Sequence, residues 1–206
     1  MKDAMGAKVL GGTKWKRFAL VMVPTVGIAG AMTVVMASGA LPAAFAVSGQ
    51  AFQVRASHLH GQTFEQTGTV LKTNQGNHAV AVAGIKHADI NDLCQSVKVP
   101  TPFGDLVIVL KAGGGGTAAQ ADDLVLDANQ IDADAVFTDV NIGADAGDVA
   151  KQLPIKGWSG VTGQFAQVVD VADLTNVRQT AYSTTAGKMS LNGLSISASL
   201  NGDTCF

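Results

Sequence analysis

Glutamate is almost missing from this sequence. Glu65 is the only one among 16 acidic residues, and every other acid is aspartate. Glutamate suits helices, whereas aspartate competes with the backbone for hydrogen bonds and settles in turns and caps. Such an acid set, in a chain with 24 glycines, points away from a helical body. Aromatic residues are scarce too, at 5% of 206 residues, yet 47% of the chain is hydrophobic, which excludes a disordered composition. Cysteine occurs twice, at Cys94 and Cys205.

Positive charge is sparse outside the N-terminus. Residues 1–46 carry Lys2, Lys8, Lys14, Lys16 and Arg17 against Asp3, which leaves nine bases and fifteen acids for the rest. A body at −6 repels phosphate backbones, which argues against nucleic acid as a partner.

The first 46 residues read as an export signal. Lys14, Lys16 and Arg17 precede a charge-free stretch from Phe18 to Val47, which ends in Ala44-Phe45-Ala46, the small-x-small spacing of a signal-peptidase site. As a helix that stretch would run about 45 Å against a hydrocarbon core of about 30 Å. Both a cleaved signal peptide, cut after Ala46, and a retained transmembrane anchor are therefore open. The chain is expected to be secreted or held at the cell surface. In an oxidising compartment two cysteines and no others read as one disulfide, Cys94–Cys205. It would tie the tail to mid-chain and close residues 47–206 as a single β-rich domain.

From Val47 onward period-two alternation dominates. Phe52, Val54 and Ala56 share one face, as do Leu124, Leu126 and Ala128. In "IDADAVFTDVNIG", Ile131, Ala133, Ala135 and Phe137 alternate with Asp132, Asp134 and Val136. The phase then slips by one, so that Val140 and Ile142 are expected to face the core and a bulge or bend to lie between. Only residues 145–153 could form a helix, stopped by Pro154. Asn192-Gly193 is a turn signal. The pattern predicts an all-β fold: an antiparallel sandwich or a curved elongated sheet, with a solenoid also open, preceded by the N-terminal hydrophobic helix. "ADINDLCQSV" at 88–97 recurs as "ADLTNVRQTA" at 172–181. The spacing is too long for a solenoid rung and suggests two equivalent strand-turn elements.

Candidate chemistry is thin. "LKAGGGGT" lacks the Lys and Ser/Thr that a phosphate loop places after its glycines at a helix start, since Lys111 comes first, so it reads as a connector. No G-x-S-x-G elbow occurs, and all four histidines (His58, His60, His78 and His87) precede residue 88, which excludes the α/β-hydrolase order. His58 and His60 would share one strand face at a spacing zinc can use, but paired edge histidines explain them as well. The aspartates lack a calcium-loop pattern. Trp158 and Tyr182 are the large amphipathic aromatics of the body and are expected to pack. No catalytic residue, metal ligand or cofactor is assigned.

The blocks "TKWKRFALVMVP", "FAVSGQAFQV", "DLCQSV", "LKAGGGGT", "ADAVFTDVNIG", "LTNVRQTAYSTTAG" and the final "CF" resemble an exported actinobacterial family of unknown function along the whole chain. Some relatives in that family carry an automatic cholesterol esterase label. The leading expectation is an exported β-rich cell-envelope protein with a binding or structural role. A sterol- or lipid-binding module is the first rival, and the family label suggests a sterol ester hydrolase as another. Membrane lipid or a neighbouring multi-span membrane protein is the expected partner, and the family brings no catalytic residues to carry over.

Overall fold

The alternating segments form strands: β1 (Phe52–Thr73), β2 (Gly76–Asn91), β3 (Leu93–Thr101), β4 (Gly104–Ala112), β5 (Ala119–Asp145), β6 (Phe165–Thr185), β7 (Lys188–Ser190) and β8 (Ser195–Leu200). A single short helix, α1 (Ala146–Gln152), follows β5. The computed structural model describes residues 49–73 and 76–206. The expected leader over residues 1–46, with Ala44 and Ala46, lies outside the described residues.

All pairings are antiparallel, and the sheet closes on itself. Val82 of β2 pairs Thr67 on one edge and Asp127 on the other; Thr67 pairs Ala166, and Ala166 pairs Ala144. A circuit that leaves β5 at Asp127 thus returns to β5 at Ala144, 17 residues further on. The length of β5, 27 residues, makes this offset possible, because its two ends form two sides of one barrel. The sandwich, open sheet and solenoid expected from the alternation give way to a closed barrel. Alternation reports which face is buried and carries no information on where a sheet joins itself.

β1 is the axis of the arrangement. Its one edge meets β2 and then β3, which is β2 continued past Asp92; its other edge meets β6. His58 pairs with Asn91 on one side and Thr175 on the other, and the same 84-residue offset holds along the strand. That offset also separates the two copies of the repeated motif. The copies lie on either side of β1 in identical register, and each has a left-handed residue at the same motif position, Asp92 (φ 49°) and Asn176 (φ 54°). Asn and Asp tolerate this conformation better than other residues with a Cβ. Further along, β3 carries β4 and β4 carries β8 as an extension of the sheet.

The barrel interior holds the main core. Ile85, Ala88, Leu124, Val169, Ala172 and Ala181 are among its most buried members, and the frequent alanines let the strand faces approach closely. A second, smaller core lies outside the barrel wall. There α1 and the loop after it lay Val149, Ile155 and Trp158 over Val125 and Ala166. Each such side chain contributes about 1.5–3 kcal/mol by leaving water. Asp145 caps α1 by accepting from Gly147 N and Asp148 N, and it also accepts from Gly163 N at 2.7 Å. Where the phase slip is expected in β5, Asp139 has a left-handed φ of 54°, but the register with β6 runs unbroken from Asp134 to Ile142 and the shifts lie on either side of that stretch. Beyond Asp139, Val140 and Ile142 are 42% and 68% exposed rather than in the core, because β5 there pairs with β6 alone among the described residues.

Candidate functional site: an imidazole belt and a cationic trough

On the outer face, three of the four histidines join carboxylates. His60 lies in register with Asp173 on β6 and Asp89 on β2, and its Nδ1 is 2.8 Å from Asp173 Oδ1. His58 Nε2 approaches the same oxygen at 3.4 Å. The hydrogen bond from His60, with a smaller contribution from His58, holds the Asp173 carboxyl below the usual carboxylate value. On the next strands His87 Nδ1 meets Asp122 at 2.7 Å, and Gln120 Nε2 donates to Asp89 at 2.9 Å. The two-residue spacing does bring His58 and His60 together, around one aspartate. Among the described residues no cluster of metal-ligand type gathers. His78 stands apart, its ring stacked on Tyr182 at 4.3 Å.

Among the described residues no serine hydroxyl bonds a histidine. Ser57 Oγ donates to Asp92 Oδ2 at 2.7 Å. Ser96 Oγ accepts from Cys205 N at 3.0 Å and donates to Gln53. Ser183 bonds Asp127, whose carboxyl is nonetheless raised by burial.

A row of cations lies two residues beyond the repeat kinks at Asp92 and Asn176. Arg178 of β6, Arg55 of β1, Cys94 of β3 and Lys111 of β4 are successive register partners across the sheet. Residues in one such row point to the same face. Arg55, Arg178 and Lys111 line a concavity of about 560 Å³, whose rim includes Asp92, Asn176 and Gly114. The left-handed turns at Asp92 and Asn176 bend the strands on both sides of β1 at this level. The rim is tied together by Gly113 N donating to Asn192 O at 2.7 Å. Cys94 is bonded to Cys205, with Cα atoms 5.8 Å apart, and this brings the tail across β3. The Phe206 ring then lies 5.9 Å from the Arg178 guanidinium.

Two further features face inward or lie beneath the cap. An apolar chamber of about 210 Å³ is lined by Phe64, Ile85, Leu126, Ile131, Phe137 and Leu174. It lies beside the half of β5 that pairs on one edge, and Phe64 and Phe137 stack across it at 5.9 Å. Glu65 is fully buried, and neither of its carboxylate oxygens has a hydrogen-bond partner among the described residues. Its register neighbours are Gly84 and Val168, which places it beside the outer core. Burial pushes its carboxyl up to about 7, partly opposed by Lys86.

The histidines were visible as candidates in the sequence; the trough was not. Its cations come from three strands 123 residues apart at the extremes, Arg55 to Arg178, and meet only through strand register. One signal did exist. Arg55 and Arg178 are the only arginines after residue 46, and Arg178 occupies the motif position that Cys94 holds in the other copy. "LKAGGGGT" is a connector from β4 to β5, as its order implies, yet Lys111 and Gly114 both reach the trough.

Residues 48–206 match the model of a family described as a family of unknown function (DUF6230). No curated protein and no solved structure matches the chain.

Proposed function

We propose, from the premise that this chain belongs to the DUF6230 family of unknown function, that it is an exported cell-envelope protein acting by binding rather than catalysis. The observation that carries this reading is the Cys94–Cys205 disulfide, which fastens the penultimate residue across 111 positions. Such a bond persists in oxidising compartments and is rare where thiols are kept reduced. The basic, then uncharged, N-terminal 46 residues supply the matching address. A closed barrel with a concavity lined by Arg55, Arg178 and Lys111 suits ligand capture at the surface, by a secreted or membrane-held form.

The test is native mass spectrometry of protein recovered from the envelope and the culture medium. A mass lacking residues 1–46, lower by two hydrogens for the disulfide, is the expected result for the secreted form; an anchored form would keep the full mass in the membrane fraction. Reduced protein found in the cytosol would overturn the reading.

A second reading, lipid binding, draws support from the apolar chamber. Its volume of about 210 Å³ is below the roughly 300–1,000 Å³ of ordinary ligand sites, so it suits part of an acyl chain better than a whole sterol. A sterol ester hydrolase would need a serine placed against His58, His60, His78 or His87; the Ser57 hydroxyl instead donates to Asp92 and the Ser96 hydroxyl to Gln53.

A further inference from the structure

Arg55 and Arg178 oppose each other directly across β1 and β6, an arrangement that is destabilising for like charges. The described body has fifteen acids to nine bases, so partners of the right sign are plentiful. Lys86, Lys98 and Lys151 each have one, in Asp123, Asp105 and Asp148, whereas Lys72, Lys156 and Lys188 form none among the described residues; what sets the trough apart is that its unpaired cations share one row and one concavity. Among the described residues, neither arginine forms an ion pair, and neither does Lys111. The one acid on the rim, Asp92, is engaged by the Ser57 hydroxyl at 2.7 Å. Asp132 is the register partner of Arg178 on its far side, yet it makes no ion pair with it; its recorded bond is from Gln130 Nε2.

We infer that the trough is an anion site, and that its ligand class is a phosphate group, free or as an ester. The inference rests on the reading of the barrel as a binding module and names what that module holds. Two guanidinium forks and one ammonium converge from different strands. Guanidinium presents paired N–H donors that match two oxygens of a phosphate, while the ammonium serves as a point charge for a third. A tetrahedral oxyanion offers acceptors in all these directions, whereas a carboxylate offers two oxygens in one plane. The concavity of about 560 Å³ has room for a phosphate and the group esterified to it. An anion there also removes the repulsion between Arg55 and Arg178, so the cost built into the empty row becomes part of the binding energy. The net negative charge of the body confines attraction to this one place, consistent with a small or surface-presented ligand and not with a long nucleic acid.

Full-chain protein with its disulfide intact is titrated with inorganic phosphate and with glycerol 3-phosphate, followed by calorimetry and by thermal unfolding. Saturable binding is expected, weakening as sodium chloride is raised. Arg55→Gln and Arg178→Gln should each weaken it by at least about tenfold, the effect of losing one charge-assisted hydrogen-bonded contact. Lys111→Met, on the exposed rim, provides a third variant whose folding the core does not constrain. Without ligand, Arg55→Gln should melt no lower than the wild type, since it relieves the opposed charges, whereas Arg178→Gln also gives up the contact with the Phe206 ring. Phosphate should then raise the melting temperature of the wild type and not that of the double variant. Sedimentation with phosphatidylglycerol vesicles, against phosphatidylcholine vesicles, separates a headgroup source from a free anion. Absence of saturable binding to phosphate, phosphate ester and phosphatidylglycerol alike would overturn the assignment, as would undiminished binding by the double variant. Compartment is read separately by fractionation. A cytosolic protein that binds phosphate would remove the export reading alone, and an exported protein that binds none would remove this one alone.

Discussion

Trp158 lies directly over Gly84. A Cβ built at position 84 would sit 2.9 Å from Trp158 Cδ1 and 3.2 Å from Ile155 Cδ1, while the indole N–H reaches Val82 O at 3.4 Å. Glycine here is what lets the segment after β5 seal against the barrel wall. Gly84→Ala should push the indole outward and destabilise the fold by about 1–3 kcal/mol, the usual cost of overpacking. Urea unfolding measures it, with Trp158 fluorescence shifting to the red in the folded variant. A change below about 0.5 kcal/mol, the range of a neutral surface substitution, would show that the close approach is unnecessary.

Glu65 makes stability depend on pH in an unusual direction. Its carboxyl is raised from 4.5 to about 7 in the fold, so between those values the native state holds a proton that the unfolded chain has released. Stability therefore falls as pH rises through that window and stays lower above it, by about 3 kcal/mol from this group. Glu65→Gln should flatten the decline and be the more stable form at pH 8. Unfolding series at pH 5, 6, 7 and 8 decide the matter; parallel profiles for variant and wild type would refute it.

The tail should depend on its sulfur link. Removing the bond with Cys94→Ser and Cys205→Ser is expected to cost about 2–4 kcal/mol and to loosen the segment after β8. Hydrogen exchange gives the specific readout. The Cys205 amide, protected by Ser96 Oγ at 3.0 Å, should exchange rapidly once position 205 is no longer tethered, while the Val169 amide region in the barrel stays protected. Equal protection with and without the bond would mean that packing alone holds the tail.

The repeat kinks impose a residue preference that strand propensity alone would not. Asn176 at φ 54° should tolerate glycine better than valine: glycine gives up only the exposed hydrogen bond from Asn176 Nδ2 to Asp134 Oδ2 at 2.8 Å, whereas Asn176→Val adds about 1–2 kcal/mol because a β-branched side chain is strained in that region. The opposite ranking would mean that the strand straightens without penalty. At Asp92 the glycine variant gives up the contact from Ser57 in the same way, so the two kinks should tolerate glycine alike.

Much of this was readable in the sequence where local chemistry decides. Leu124, Leu126 and Ala128 are inward as alternation demands, the helix begins at the residue after Asp145, and the backbone of β5 turns left-handed at Asp139. The taste for aspartate over glutamate is explained by the kinks at Asp92, Asp123 and Asp139 and by the cap at Asp145. Val140 and Ile142 went astray because burial depends on which strand lies opposite, and that is a property of the whole circuit. The trough was hidden for the same reason: Arg55, Arg178 and Lys111 are neighbours by register and strangers by sequence.

The offset with which the barrel closes has a cost for solubility. From Gln130 to Gly143 β5 offers one hydrogen-bonding edge to water among the described residues, with Val136 and Ile142 exposed beside it. A bare rim of this kind invites a second molecule to add its own strand. Asp132, Asp134 and Asp139 punctuate that stretch, so two copies zipped side by side would crowd carboxylates together with no cation between them. The same aspartates that alternate so regularly in the sequence thus serve as a guard against stacking into fibrils, and the left-handed twist at Asp139 spoils the flatness that such stacking requires.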